Sequence, residues 1–190
     1  MRNSQAKKQE NRFAILDAAG RLFRERGLHN VSVAEVMQAA DMTHGGFYRH
    51  FADKDDLIVH TVDHVLGARE GVQAQSVTDF TAYAASYLSE KHRMNSADGC
   101  LFAALGSEAA RGSVEARHRL TTRLEAIINS LERMLDCTPP AERRHAAMAS
   151  LSAMIGAMTL ARICDDPALA SEFLDGTRSW VVARQDETRP

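Results

Sequence analysis

The chain has 190 residues, of which 45 % are hydrophobic and 25 % charged, with a formal net charge of −2. That is ordinary for a water-soluble globular protein of one or two domains, and 11 glycines with four prolines argue against a disordered or fibrous chain. No uninterrupted apolar run of about 18 residues occurs, so no membrane span is expected, and three widely spaced cysteines (Cys100, Cys137, Cys164) make no disulfide framework and fit a reducing, cytoplasmic setting.

Charge is unevenly spread. Residues 1–50 hold eight Lys/Arg against five Asp/Glu, and residues 61–190 hold 14 against 17. A basic end with an acidic remainder suits a molecule that presents one face to phosphate. Met1 to Glu10 is polar and basic with no apolar segment behind it, which is not the pattern of a signal peptide. Met1 to Gln9, with Arg2, Lys7 and Lys8, is expected as a loose arm. Asn11 to Arg26 predicts a first helix whose apolar stripe is Ile15, Leu16, Ala19, Leu22 and Phe23, with Arg21, Arg24, Glu25 and Arg26 facing out. Gly27 is placed to close it in the left-handed conformation.

Ser32 to Lys54 is the stretch with the most specific pattern. Ser32 followed three residues later by Glu35 predicts a capping box. Val33, Val36, Met37 and Ala40 share a helical face, and Asp41-Met42 ends it. Thr43 is a second N-cap candidate, and Phe47 and Phe51 stand four apart and share a face. Two short helices joined by a tight turn make a helix-turn-helix. The outer side of the second helix is His44, Gly45, Gly46, Tyr48, Arg49 and His50. Two early glycines cost roughly 1 kcal/mol each relative to alanine, a cost that makes sense where something approaches the backbone, as a DNA major groove does. The other reading is a solvated helix with a weak start.

The residues Phe23-x-x-x-Gly27-Leu28, Val31-Ser32-Val33, Ala40 through Phe51 and Asp53-Lys54-Asp55-Asp56-Leu57 together resemble the N-terminal domain of TetR/AcrR-type regulators. The resemblance covers about the first 60 residues and implies an all-α chain, with a three-helix head at residues 1–54 and a helical ligand-binding and dimerisation domain at 55–190. It implies that Ser32, Thr43, His44, Gly45, Gly46, Tyr48, Arg49, His50 and Lys54 meet duplex DNA. Within that set Thr43 caps the recognition helix and reaches phosphate, and His44, Gly45 and Gly46 meet base edges. Tyr48, His50 and Lys54 hold phosphates, and Arg49 reads a base or a phosphate. Gly46 departs from the family's larger residue, and a neutral His44 leaves the preferred base open.

Asp53 is expected to cap a fourth helix reaching roughly Gly71, with Asp55 and Asp56 in its first turn. His60 and His64 stand four apart but lack the third ligand a metal would need. Thr78 to His92 predicts a fifth helix with Phe80, Tyr83, Ala84, Tyr87 and Leu88 on one face. Cys100 to Arg111 is a sixth, and a seventh starts at Ser113 and stops at Thr138-Pro139-Pro140. The eighth, from Pro140 to about Cys164, carries a strip of small residues, Ala149, Ala153, Gly156 and Ala157, that lets another backbone approach. The ninth runs from Ala168 to about Arg184 with Leu169, Phe173, Leu174, Trp180 and Val181 apolar. The residues alone allow these two helices to pack within one subunit. The resemblance, to a family of dimers, implies a homodimer joined through Ala149, Ala153, Gly156, Ala157, Phe173 and Trp180 as a four-helix bundle.

Tyr83, Tyr87, Cys100, Phe102, Met154 and Met158 are the candidate lining of a cavity for a small, mainly apolar effector, against a filled core as the other reading. Cys100 is then an inert buried thiol or a reactive one. The fourth helix, running from the head into the rest, is the expected lever. No nucleophile–base pair, paired catalytic carboxylates, glycine-rich phosphate loop or cofactor motif is found. The reading is a dimeric, ligand-responsive transcriptional repressor with no catalytic, cofactor or metal site. The alternative is a small-molecule-binding protein or enzyme that kept the head fold without DNA.

Overall fold

The computed structural model describes the backbone of residues 2–76, 79–136 and 138–187, and side chains over 5–67, 79–136 and 138–184. Thr78, the expected start of the fifth helix, Cys137 and the side chain of Arg2 lie outside the described residues. Among the described residues the structure is all helix: α1 (Arg2–Arg26), α2 (Val33–Ala39), a 3₁₀ helix (His44–Arg49), α3 (Lys54–Ser76), α4 (Phe80–Tyr87), α5 (Glu90–Met94), α6 (Leu101–Ala109), α7 (Val114–Met134), α8 (Arg143–Ile163) and α9 (Pro167–Glu187).

Local signals set many of the ends. Gly27 closes α1 at φ +85°. Ser32 and Glu35 form the reciprocal capping box of α2, Asp53 Oδ1 accepts from Asp56 N at 2.8 Å ahead of α3, and Ser113 Oγ accepts from Ala116 N to start α7. Asp41, at φ 57°, turns the chain after α2. Met42 N donates to Met37 O at 2.8 Å and Asp41 N to Gln38 O at 3.0 Å. These are the two bonds of a Schellman ending, with Asp where glycine is usual.

Four expectations are corrected. The segment before Asn11 is not a loose arm, because α1 begins at Arg2. The predicted fifth helix is two, α4 and α5, because Ser89 Oγ accepts from His92 N at 3.2 Å and starts a new helix after Leu88. Pro140 does not open α8. Glu142 N instead donates to Pro139 O in a turn, and the helix begins at Arg143. Arg24 does not face solvent: it is 9 % exposed, and its Nε donates to the Ala97 carbonyl oxygen. Gly20, one turn earlier, instead lets α3 approach, since a Cβ there would lie 2.6 Å from Val65 Cγ2.

Two apolar cores fill the molecule. The first joins Ile15, Leu16, Phe23, Val36, Met37, Phe47 and Phe51 of the head to Leu57, Val62 and Leu66 of α3 and to Leu101, Leu105 and Leu120 beyond it. The second holds Phe80, Leu88, Leu131, Leu151, Met154, Met158, Leu174 and Val181. The head is thus seated on α3, α6 and α7. It is also pinned by polar contacts: Glu108 at the end of α6 accepts from Leu28 N at 2.7 Å and His29 N at 3.4 Å, beside Gly27, where any Cβ would meet Glu108 Oε1 at 2.6 Å.

One described helix, α8, is long and apolar enough by length and composition to cross a membrane. Ala147, Leu151, Met154, Ala157, Met158 and Ala161 bury one of its sides in the second core. Its opposite side continues as a surface stripe. Ala149 is exposed, Ala153 and Gly156 are half-buried, and Leu160 and Ile163 are 46 % and 73 % exposed. On α9, Leu169 and Trp180 are 44 % and 49 % exposed, with Phe173 half-buried between them. Ala157, expected on this strip, belongs to the interior.

Candidate nucleic-acid interface and regulatory cavity

The turn after α2 delivers the 3₁₀ helix to the surface with one side anchored. Phe47 is its buried residue, 1 % exposed and 5.7 Å from the Phe51 ring. The remaining side points out. Thr43, His44, Gly45, Tyr48 and Arg49 are exposed, and Gly46 and His50 are half-buried. A Cβ at Gly45 would meet nothing within 4 Å, and one at Gly46 would meet only the Met37 methyl and Thr43 Oγ1 at ordinary contact distances. Packing inside the chain therefore requires neither glycine.

The segment is a 3₁₀ turn rather than the expected α-helix. Gly46 N donates to Thr43 O and His50 N to Phe47 O, both i to i+3. Six residues with two glycines have little propensity to build full α turns. Thr43 has the extended backbone of an N-cap, but its side chain caps nothing, which corrects its expected capping role. Ser32 stands apart from the segment at the start of α2. Its Oγ accepts from Glu35 N at 3.2 Å and donates to Glu35 Oε2 at 2.7 Å, so the hydroxyl is already engaged. The Ser32 backbone and side-chain hydrogen bonds hold the Glu35 carboxyl below the usual range, so the box is intact above ordinary carboxylate pKa values and is lost as pH falls through the lowered one.

Arg12, which sequence reasoning missed, locks the far end. Its guanidinium donates to the His50 carbonyl oxygen and lies 4.2 Å over the Phe51 ring. The two partners are 38 and 39 positions away, and no local signal announces them. His50 keeps its Nδ1 enclosed without a partner. Burial lowers its pKa first, and the Lys8, Arg12 and Arg49 charges add to this. The imidazole is therefore neutral near pH 7. Lys54, at the first position of α3, is half-buried beside this surface. His60 and His64 are taken up by Asp56 at 3.3 Å and Asp17 at 2.7 Å, and no cluster of three metal-ligating side chains occurs among the described residues.

Between α4, α5, α6 and α7 lies a cavity of about 530 Å³, within the size range of small-molecule sites. Tyr83, Tyr87, Cys100 and Phe102 line it, with Ser86, His92, Ile127, Ser130 and Met134. Met154 and Met158 do not. Both are 0 % exposed and packed in the second core, although Leu151 on the same face of α8 does reach the cavity wall. Cys100 is 8 % exposed. The wall formed by Asn95 to Phe102 continues into α6, whose last turn carries the Glu108 contact to the head.

Residues 15–61 match the family described as "Bacterial regulatory proteins, tetR family". The HTH-type transcriptional regulator AcrR of Shigella flexneri is 45 % identical over 56 residues, covering 30 % of this chain and 26 % of that protein. The HTH-type transcriptional repressor BepR of Brucella suis is 34 % identical over 76 residues, covering 40 % of this chain and 36 % of that protein. The chain thus aligns with about a quarter to a third of these relatives. A transcriptional regulator of the TetR family from Agrobacterium tumefaciens superposes with a TM-score of 0.75 at 20 % identity, over 92 % of this chain and 97 % of that one. One from Cytophaga hutchinsonii gives 0.76 at 16 %, over 93 % and 96 %. These whole-chain likenesses establish the fold.

Proposed function

We propose that the chain, whose residues 15–61 match the tetR family of bacterial regulatory proteins, is a dimeric, ligand-responsive repressor of the cytoplasm that binds a palindromic DNA operator. The observation that carries the reading is the 3₁₀ helix. Its inner side is fixed by Phe47, while its outer side pairs two glycines that no packing demands with exposed Thr43, His44, Tyr48 and Arg49. In this reading residues 1–54 read DNA and 55–190 bind the effector and the second subunit. Thr43, free of capping duty, Tyr48, His50 and Lys54 meet phosphates, with Ser32 at the edge of the contact. His44, Gly45, Gly46 and Arg49 face base edges. The stripe of α8 and α9 meets its twofold copy.

Selection from random duplexes by gel shift tests the reading. Two half-sites related by a dyad, their centres separated by about 34–36 Å or a multiple of it, are expected. Recovery of no sequence, or of a single unpaired half-site, sinks it and favours the alternative of a ligand-binding protein or enzyme without DNA.

Lys54→Ala and Tyr48→Phe are expected to weaken binding to all sequences alike, and Lys54→Ala to flatten the salt dependence by about one unit of slope. His44→Ala and Arg49→Ala are expected to change which bases are preferred. Competition binding at several salt concentrations reads both effects. A change of preference in Lys54→Ala with none in His44→Ala would mean the helix docks in another orientation.

Regulation in this reading runs through two connections. The first is α3, which leaves the head at Lys54 and crosses into the second half. The second is α6, which joins the cavity wall at Cys100 and Phe102 to Leu28 and His29 through Glu108. An effector acts only by its differential affinity for the two settings of these helices, typically about 1–3 kcal/mol.

A further inference from the structure

The cavity is apolar over most of its wall, with Phe102, Ile127, Leu131 and Met134 on it, but one end has unmet polar groups. The Tyr87 hydroxyl is enclosed and has no hydrogen-bond partner. Its ring is held by Tyr83, stacked at 6.1 Å, and by His92, edge-on at 4.7 Å. Burial, followed by the neighbouring Cys100 thiol, holds the phenol far above the usual tyrosine range, so the oxygen keeps its proton. It is a donor in want of an acceptor, and a thiol is a poor one.

His92 cannot fill that role. Its Nε2 accepts from Cys100 N at 2.9 Å and its Nδ1 donates to the Tyr87 carbonyl oxygen at 2.6 Å, which uses both ring nitrogens. Behind the same wall stands Arg162. Its Nη2 donates to His92 O at 2.9 Å and its Nε to Arg93 O at 3.3 Å, while Nη1 is enclosed with no partner. No carboxylate among the described residues pairs with it, and its protein partners are carbonyl oxygens. Burial lowers its pKa, opposed by Tyr87 and then Cys100, so all three groups are within electrostatic reach of one another. Gly99 bares this corner, since any Cβ there would lie 2.5 Å from Arg162 Nη2 and 2.9 Å from Asn95 O. Two cations, Lys91 and Arg133, line the cavity against one acid, Asp98, which lies 4.0 Å from Arg24 Nη2.

We propose that the cavity binds a mainly apolar monocarboxylate, its carboxylate seated at the end of the cavity lined by Tyr87 and Cys100. One carboxylate oxygen accepts from Tyr87 Oη in the field of Arg162, and the hydrocarbon body lies along Phe102, Leu131 and Met134. The proposal rests on the cavity being the effector site. It assigns Tyr87 and Arg162 as the groups that select an anion over a neutral molecule of the same shape.

The test is calorimetric titration of the full chain, without DNA, with 4-phenylbutyrate and its neutral counterpart 4-phenylbutyramide. The acid is expected to bind at least about tenfold tighter than the amide. Tyr87→Phe is expected to weaken the acid by about tenfold and leave the amide unchanged. Its ligand-free melting temperature should be equal to or above that of the parent, because the deleted hydroxyl had no partner. Lys91→Ala and Arg133→Ala are expected to keep most of the preference. Equal binding of acid and amide, binding of neither, or an unchanged acid affinity in Tyr87→Phe overturns the proposal. Loss of the preference in Lys91→Ala or Arg133→Ala alone does so too, by placing it on surface charge. Because no DNA is present, failure here leaves the operator reading intact, and failure of the duplex selection leaves this result standing.

Discussion

Gly156→Leu is expected to leave each subunit folded and to break the dimer. In the single chain a Cβ at Gly156 meets nothing within 4 Å, and the same holds for Gly176 on α9. The first carbon of a side chain there therefore clashes with nothing of its own subunit. It sits in the middle of the stripe formed by Ala149, Ala153, Leu160 and Ile163, beside Leu169 and Trp180. If a second copy covers that stripe, the larger side chain is met twice. Overpacking costs about 1–3 kcal/mol per site, so the dimer constant should rise by roughly 30-fold to 10⁴-fold. Sedimentation velocity should show monomer at micromolar concentration and circular dichroism an unchanged helix content. An unchanged dimer would place the interface elsewhere.

Phe47→Ala is expected to remove about 3–5 kcal/mol from the head, the usual cost of emptying a buried aromatic site. Phe47 is the buried residue of the 3₁₀ helix and packs against Tyr48 at 5.3 Å and Phe51 at 5.7 Å. Without it the six residues have only a few i to i+3 hydrogen bonds to hold their shape. Hydrogen exchange should then show the amides of Gly46 and His50 losing protection first, and DNA affinity should fall for every sequence tested. The second core contains no head residue, while Leu66 and Leu101 of the first core also line the cavity, so ligand affinity should fall less than DNA affinity. Parent-level DNA affinity in this variant would mean that the 3₁₀ helix is not the reading element.

Where one turn of chain contained both partners, much of the structure was legible in the sequence, although the Ser89 cap on His92, also three apart, was not read. Ser32 with Glu35, Asp53 with Asp56, and Gly27 after Arg26 are interactions of three residues or fewer, and the caps follow. The shared face of Tyr83 and Tyr87 was visible from spacing, whereas their meeting with Cys100 and Phe102 around a cavity was expected mainly from the resemblance. Contacts between distant residues were not visible. Arg12 with His50, Arg24 with Ala97 and Glu108 with Leu28 span 38 to 80 positions, and polar side chains on a helix read as solvated unless their partner is known. Met154 and Met158 were misassigned for a related reason. A four-residue spacing fixes a shared face of α8 but not which neighbour that face meets. The 3₁₀ geometry was hidden because Phe47 and Phe51, four apart, suggested an α-helical period, whereas Phe51 lies beyond the 3₁₀ segment.

In the proposed reading, the brevity of that 3₁₀ helix limits how much information one subunit can extract from DNA. Six residues at a rise of about 2.0 Å each span about 12 Å, the stacking height of about three to four base pairs. A fully specified base pair conveys about two bits, so one head reads at most about eight bits and two heads about sixteen, when singling out one site among roughly a million demands about twenty. The remaining few bits have to come from something other than side chains touching bases. The spacing and stiffness of the untouched DNA between half-sites can carry them. The operator's central base pairs should therefore be as intolerant of insertion as its contacted bases are of substitution.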